Sequence, residues 1–201
     1  MAYPDLKSYQ QAVTIADFTV EFCKHYISKF SRTTDQMVQA ARSGKQNIVE
    51  GTAVSRTSPK TELKLLGVAR GSLEELLEDY KDFLRQNHLA LWAKEDTRAL
   101  AVRNLAYRTD RTNKAYTSYS SYSGYLNDPE QAANAMIALI NQTNFLLDRQ
   151  MASIRKQFEE KGLSTETHDQ KLRRVMAKER KENEEFDAKM RAIVEETKKI
   201  T

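Results

Sequence analysis

The 201-residue chain carries a net charge of +4 and contains six glycines, three prolines and one cysteine. This length is typical of one domain with a substantial core plus an extension. The scarcity of helix breakers predicts an all-α fold. Because Cys23 is alone, an intrachain disulfide framework is excluded. No apolar run approaches the roughly 18 residues of a membrane span and no secretory signal opens the chain, so we expect a cytoplasmic protein.

The first predicted helix has an unbroken apolar seam, whose members recur at alternating spacings of three and four residues. The seam comprises Leu6, Tyr9, Val13, Ala16, Val20, Cys23, Ile27 and Phe30. One flank is widened by Ile15, Phe18, Phe22 and Tyr26. A stripe this wide is typical of a bundle helix rather than a two-stranded coiled coil.

The second predicted helix, from about Asp35 to Ala53, has a core side of small residues. Met37, Ala41, Gly44 and Ile48 share its inner face. Glycine in a helix interior costs about 1 kcal/mol relative to alanine, so Gly44 indicates the close approach of a neighbouring backbone.

A turn with a helix start signal follows, with Ser58 as N-cap and Pro59 as the first helical residue. The third helix is predicted to run to about Gln86. Its seam comprises Leu63, Leu66, Arg70, Leu73, Leu77, Tyr80 and Leu84.

Arg70 is the one charged member of that seam. A buried charge without a partner would cost several kcal/mol, and Glu50 on the second helix is our candidate partner. Alternatively, the arginine stem lies on apolar surface and the guanidinium reaches water.

Between the third and last bundle helices, a shorter helix is predicted from Lys94 to Arg108, with Leu100 and Leu105 facing inward. A Tyr/Ser/Arg-rich insertion follows at about 107–126, and residues 107–125 read YRTDRTNKAYTSYSSYSGY. Basic residues interleaved with aromatic ones suit single-stranded nucleic acid, whose bases stack on rings. Alternatively, tyrosines spaced three apart pack along one side of a helical turn and cover the end of the bundle.

The last bundle helix is predicted to begin with Asp128 as N-cap and Pro129 at its first position, and to stop at Gly162. Its seam comprises Ala133, Ile137, Ile140, Asn144, Leu147, Met151, Ile154 and Phe158. An asparagine in such a seam usually fixes register or partner choice, so Asn144 is interpreted as structural.

The remaining residues, 163–201, form a second region of different character. Apolar residues keep the helical spacing, but charges dominate and nearly cancel. A lone helix this polar is marginal in water, which favours a helical extension that is stabilised by another copy or a partner. Disorder in the free protein is the alternative.

Two motifs in the hairpin carry a family resemblance: residues 42–51 read RSGKQNIVEG and residues 62–76 read ELKLLGVARGSLEEL. They resemble the bacterial four-helix-bundle family of the 23S rRNA intervening-sequence proteins, which is similar to the accessory variability proteins of diversity-generating retroelements. The resemblance covers roughly residues 5–160, and the polar tail resembles the suffix extension of one branch. The matching motif positions are Asn47, Glu50, Gly51, Arg70 and Ser72. The chain departs from the family in having Val49 where alanine is usual, and in the long insertion.

This resemblance implies an antiparallel up-down-up-down bundle for residues 1–162, a ring-like homopentamer and no known catalytic activity. It also implies, from the accessory-protein branch, binding to nucleic acid and to a reverse transcriptase through a basic surface. The structural polar network expected from the seams and motifs comprises Asn47, Glu50, Arg70, Ser72 and Asn144.

The sequence favours an oligomeric, non-enzymatic protein that binds RNA or DNA through basic side chains. It could serve as an accessory to a partner that processes nucleic acid. The candidate phosphate contacts are Arg42, Lys45, Arg56, Lys60, Arg103, Arg108, Arg111 and Lys114. The competing hypothesis is a protein scaffold that docks a partner through residues 163–201, without nucleic acid.

No enzyme is expected. The three histidines, His25, His88 and His168, are far apart in sequence and have no companions at ligand spacing, so we predict no cofactor, no metal and no catalytic triad. His25 is expected to share the buried face of Cys23.

Overall fold

A computed structural model describes residues 3–106 and 119–160, together with 176–177, 180–181 and 184. These residues are helical and contain no strand, which confirms the all-α prediction. The helices are α1 (Lys7–Tyr26), α2 (Thr33–Val54), α3 (Pro59–Gln86), α4 (Thr97–Leu105) and α5 (Pro129–Glu160), with short 3₁₀ helices at Tyr3–Asp5 and Tyr119–Asn127. In the described part of the chain, no helix combines the length and apolarity needed to cross a bilayer.

Two helix starts are capped as predicted. The Ser58 side chain accepts a hydrogen bond from the Thr61 amide, and Pro59 opens α3. The Asp128 carboxylate accepts one from the Gln131 amide at 2.8 Å. Each cap satisfies an N–H group that the first turn of a helix leaves without a backbone partner.

Helices α2 and α3 form a close hairpin. A Cβ atom added to Gly44 would lie 2.8 Å from two side-chain carbons of Leu73, and one added to Gly51 would lie 3.5 Å from the Glu62 carbonyl oxygen. The two helices run antiparallel, because the later glycine of α2 contacts an earlier part of α3. The close approach at Gly44 is thus made by the Leu73 side chain, while the predicted neighbouring backbone lies farther away, with the Ala69 carbonyl oxygen 3.6 Å from the added Cβ atom.

The core joins α1 to α3 through aromatic side chains. The Phe22 ring centroid lies 4.8 Å from that of Tyr80 and 4.9 Å from that of Phe83. The buried Tyr80 hydroxyl shares a 2.9 Å hydrogen bond with Thr19 Oγ1, so its polar end is satisfied within the apolar core.

The predicted seam of α1 is displaced toward its flank. Ile15, Phe18 and Phe22 are fully buried, whereas Val13 and Val20 are half-buried. Phe30 is wrong as a seam member, because α1 ends at Tyr26 and the Phe30 side chain is 99% exposed.

Helix α5 is enclosed on all sides over part of its length, since every residue from 132 to 140 is buried. A helix that is apolar all round is typical of a core position. Thr143 Oγ1 donates a hydrogen bond to Gln11 Oε1 on α1, and Gln142 Nε2 donates one to the Arg103 carbonyl oxygen on α4.

The segment around α4 differs from the prediction. Ala99 and Val102 are the buried residues of α4, whereas Leu100 is 43% exposed, so its inward placement is wrong. Tyr122 in the following 3₁₀ helix is buried, which confirms the packing interpretation for this tyrosine.

By internal contacts the chain divides into two compact units, Met1–Ile154 and Arg155–Thr201. The first contains the core described above. In the second, Lys156 pairs with Glu160 and Arg180 with Glu184, each one helical turn apart. Exposed pairs of this kind contribute only about 0.3–0.5 kcal/mol each.

Candidate functional site

One polar cluster lies between α2 and α3. Asn47 Nδ2 donates to the Ser43 carbonyl oxygen at 2.9 Å and to Ser43 Oγ at 3.2 Å. Ser43 Oγ in turn shares a 2.9 Å hydrogen bond with Ser72 Oγ across the helix pair. Asn47 and Ser72, both predicted for the polar network, are thus connected through Ser43, which the prediction did not include.

A second polar cluster surrounds Arg70. Its Nε atom donates to Asp148 Oδ1 on α5 at 2.8 Å, and its Nη1 atom lies 3.5 Å from Glu74 Oε2. Asn144 Nδ2 donates to the same Glu74 oxygen at 3.1 Å. The Arg70 and Asp148 side chains are 39% and 50% exposed, so the cluster lies at the edge of the core.

The predicted ion pair between Arg70 and Glu50 is therefore wrong. Arg70 is partly exposed at the edge of the core, and its guanidinium reaches Asp148 on α5. Glu50 is exposed on α2 and belongs to neither cluster. The alternative of a guanidinium near water describes Arg70 better, although it has two carboxylate partners.

Four of the predicted phosphate contacts lie on the hairpin. Arg42 and Lys45 are three residues apart on α2, so they share a face. Arg56 lies in the turn and Lys60 in the first turn of α3, both exposed. Lys45 is nine residues from the end of α2 at Val54, which is roughly 14 Å along the axis.

The other predicted cations do not join this group in the described residues. Arg103 lies on α4, and its Nη2 atom donates a hydrogen bond to the Lys94 carbonyl oxygen. Arg108, Arg111 and Lys114 lie outside the residues that the structure describes.

An acidic groove of about 500 Å³ lies on the hairpin, toward the amino-terminal part of α2. Its walls include Gln36 and Ser43 on α2 and Glu75 and Asp79 on α3. Burial raises the pKa of the Asp79 carboxyl, and the neighbouring Asp82 and Glu75 charges add to the effect. This end of the hairpin is therefore unfavourable for a polyanion.

A side chain that the sequence analysis missed holds the connection before α4. Asn134 on α5 accepts a hydrogen bond from the Trp92 amide at 2.8 Å and donates to the Ala90 carbonyl oxygen at 2.8 Å. Glu130 also receives the Ala90 amide and the Trp92 indole N–H. A polar residue within an apolar run signals such a role, but its backbone partners lie about 40 residues away in sequence.

Neither the cysteine nor the described histidines form a catalytic arrangement. Burial, with a smaller contribution from the Asp79 charge, raises the pKa of the Cys23 thiol to about 12, so it stays protonated near neutral pH. His25 is exposed and bonds its own helix at the Glu21 carbonyl oxygen, so its predicted buried placement is wrong. The described residues contain no group of three or more His, Cys, Asp and Glu side chains placed to hold a metal ion.

Comparison with known protein families, with curated proteins and with solved structures finds no match for this chain.

Proposed function

We propose that this protein is a non-enzymatic, oligomeric four-helix bundle of the 23S rRNA intervening-sequence protein family, which binds RNA or DNA through the basic end of the α2–α3 hairpin. The observation that carries the binding proposal is a pair of exposed cations at this end, Arg56 in the turn and Lys60 in the first turn of α3, with Lys45 roughly 14 Å away along α2. Between positions 42 and 60 the chain has four basic residues and one acid, Glu50.

The bundle would consist of α1, α2, α3 and α5 in up-down-up-down order. Cross-helix contacts support this topology. In the contacting pairs between α1 and α3, both residue numbers increase together, as in parallel helices. In the pairs between α1 and α5, one residue number increases as the other decreases, as in antiparallel helices. The supporting pairs are Thr19 with Tyr80 and Phe22 with Phe83, and Ser8 with Gln150 and Gln11 with Thr143.

Oligomerisation is supported by the outer face of α3. A Cβ atom added to Gly67 or Gly71 would meet nothing within 4 Å, so no contact within the described chain explains these two glycines. Each costs about 1 kcal/mol in a helix interior relative to alanine. Val68, between them, is 45% exposed. Close packing of another copy on this face accounts for all three, and the family resemblance predicts a pentamer.

Charge distribution limits the nucleic-acid surface to the turn end of the hairpin. The carboxyl-terminal half of α3 carries Glu74, Glu75, Glu78, Asp79 and Asp82, with Lys81 and Arg85 as its cations. Three of these carboxylates already pair with cations of the same helix. A phosphate backbone would be repelled here and attracted near Arg56 and Lys60.

The test is fluorescence anisotropy with a labelled single-stranded RNA and a labelled DNA duplex, each titrated with the full chain at several salt concentrations. We expect binding that weakens steeply with salt, because each phosphate contact releases about 0.7–0.9 of a counterion. The double variant Arg56→Ala/Lys60→Ala should bind more weakly and lower the salt slope by roughly 1–2 units.

The matched control is Lys29→Ala/Arg32→Ala, which removes two exposed cations at the opposite end of α2 and should leave the slope unchanged. Absence of association at low ionic strength would reject the proposal. Equal effects of the two double variants would reject the assignment to the turn.

A further inference from the structure

An open groove of about 800 Å³ lies between α4, α5 and the connection that precedes α4. Its floor is apolar and includes Ala99, Ile137 and Ala138. Leu91, Leu100 and Phe145, which also line it, are 57%, 43% and 57% exposed. Three large apolar side chains exposed around one groove indicate a protein interaction surface rather than scattered surface residues.

The groove is rigidly bounded on one side. Its wall at Trp92 is held to α5 by the two backbone hydrogen bonds of Asn134. Arg98 lies over the Trp92 ring at 4.3 Å, and Glu130 receives the indole N–H. This wall is thus held in place before any partner arrives, which reduces the ordering cost of binding.

The charges of the groove have one sign. Among the described residues that line it, Lys81, Lys94 and Arg103 are cations and none is a carboxylate. Lys81 pairs with Glu78 on its own helix, at 2.7 Å. The guanidinium of Arg103 bonds a neutral carbonyl group and Lys94 is exposed, and neither charge pairs with a carboxylate among the residues that the structure describes.

One buried polar atom of the lining also has no partner. Gln142 is 7% exposed, and its Nε2 atom donates to the Arg103 carbonyl oxygen. Its Oε1 atom receives no hydrogen bond from any residue that the structure describes. An acidic helix offers no side-chain donor to this oxygen, so the atom does not contribute to the choice of occupant.

We propose that this groove docks an acidic amphipathic helix of a partner protein. An amphipathic helix places apolar side chains at helical spacing into such grooves. Its acidic flanks would face Lys94 and Arg103, and its apolar face would cover Leu100 and Phe145. Nucleic acid matches the charge but lacks the aliphatic side chains that this floor would accommodate.

The probe is a set of designed helical peptides of about 18 residues, which is about five turns. They share leucines at helical spacing, and their polar positions are all glutamate, all glutamine or all lysine; a fourth peptide scrambles the glutamate sequence. Binding to the full chain is read from peptide anisotropy and from Trp92, the chain's single tryptophan. The glutamate peptide should bind about tenfold or more tightly than the lysine and scrambled peptides, and should shift Trp92 emission.

Groove variants locate the site. Leu100→Asp and Phe145→Asp should each weaken binding of the glutamate peptide about tenfold or more, and Lys94→Glu should weaken it while improving the lysine peptide. Phe30→Asp is the matched apolar control, because Phe30 is 99% exposed and does not line the groove. Lys29→Glu is the charge control, because Lys29 is also exposed and lies outside the groove lining.

Equal binding of the four peptides would overturn the proposal, and so would equal losses of binding in the control variants. It would also be overturned if single-stranded RNA displaced the glutamate peptide and Lys94→Glu abolished RNA binding, because the groove would then bind nucleic acid. A change in subunit number on light scattering of Leu100→Asp would also overturn it, because the occupant would then be a second copy. Circular dichroism checks that each variant folds. We expect Leu100→Asp and Phe145→Asp to fold, because both side chains are already exposed.

Discussion

The α2–α3 interface and the α4–α5 interface use their apolar side chains in opposite ways. In the hairpin, Leu73 is fully buried and fills the space above Gly44. At α4, Leu100 points away from the core and leaves a groove beside α5. The α2–α3 surface stabilises the fold, whereas the α4–α5 groove is open among the described residues, so substitutions on the two sides should have different readouts.

The largest effect is expected for Leu73→Ala. Removing a fully buried leucine should cost about 2–5 kcal/mol in the free energy of unfolding, because lost transfer energy and a cavity add together. Leu100→Ala should cost no more than about 0.5 kcal/mol. Urea unfolding followed by circular dichroism measures both, and similar losses would contradict the comparison.

Asn134→Leu tests the wall of the groove. The change leaves the buried Trp92 amide and the Ala90 carbonyl group without partners, and we expect a loss of about 2–3 kcal/mol. Amide hydrogen exchange at Trp92 should accelerate. Asn141→Leu, at an exposed position of the same helix, is the control and should change neither quantity appreciably.

Alanine substitutions at two glycines should change the free energy of unfolding in opposite directions. Gly44→Ala should destabilise by about 1–3 kcal/mol, because the new methyl group collides with the buried Leu73 side chain. Gly67→Ala should instead stabilise the isolated subunit by about 0.5–1 kcal/mol, since nothing occupies the space it enters. Chemical unfolding measures the sign, and light scattering should show that Gly67→Ala weakens the oligomer proposed above.

The smallest effect concerns Asp79 in the acidic groove. Its pKa is raised in the folded state, mainly by burial, so the folded chain holds this proton more tightly than the unfolded chain. The contribution to stability is present at low pH and is lost as pH rises through the folded pKa, from about pH 4 upward. Asp79→Asn should therefore gain stability over the natural chain at pH 7.5 but not at pH 3.5. A gain confined to the lower pH would contradict this sign.

Local patterns predicted much of the fold because their causes lie within a few residues. Ser58 and Asp128 cap the helices that follow them, and Met37 and Ile48 are buried on the predicted face of α2. These positions depend on helix periodicity and backbone hydrogen bonding alone.

Placements that depend on distant neighbours were harder to predict. Arg70 pairs with Asp148, 78 residues away, and no spacing rule distinguishes that carboxylate from Glu50. The sequence predicts Leu100 on the inner side of the short helix α4, yet Ala99 and Val102 occupy that side. The basic hairpin surface was visible in the sequence, whereas the groove required the juxtaposition of α4 and α5.

The bonds of Asn134 also bear on how this chain can diverge. One side chain recognises the backbone of two residues that are separated by a single position, as a neighbouring strand would. Insertions or deletions between Ala90 and Trp92 should therefore be rare among descendants of this sequence, whatever side chains stand there. Length variation should accumulate instead on either side of this pair. An alignment of diverged homologues would then show no gaps at the three positions from Ala90 to Trp92.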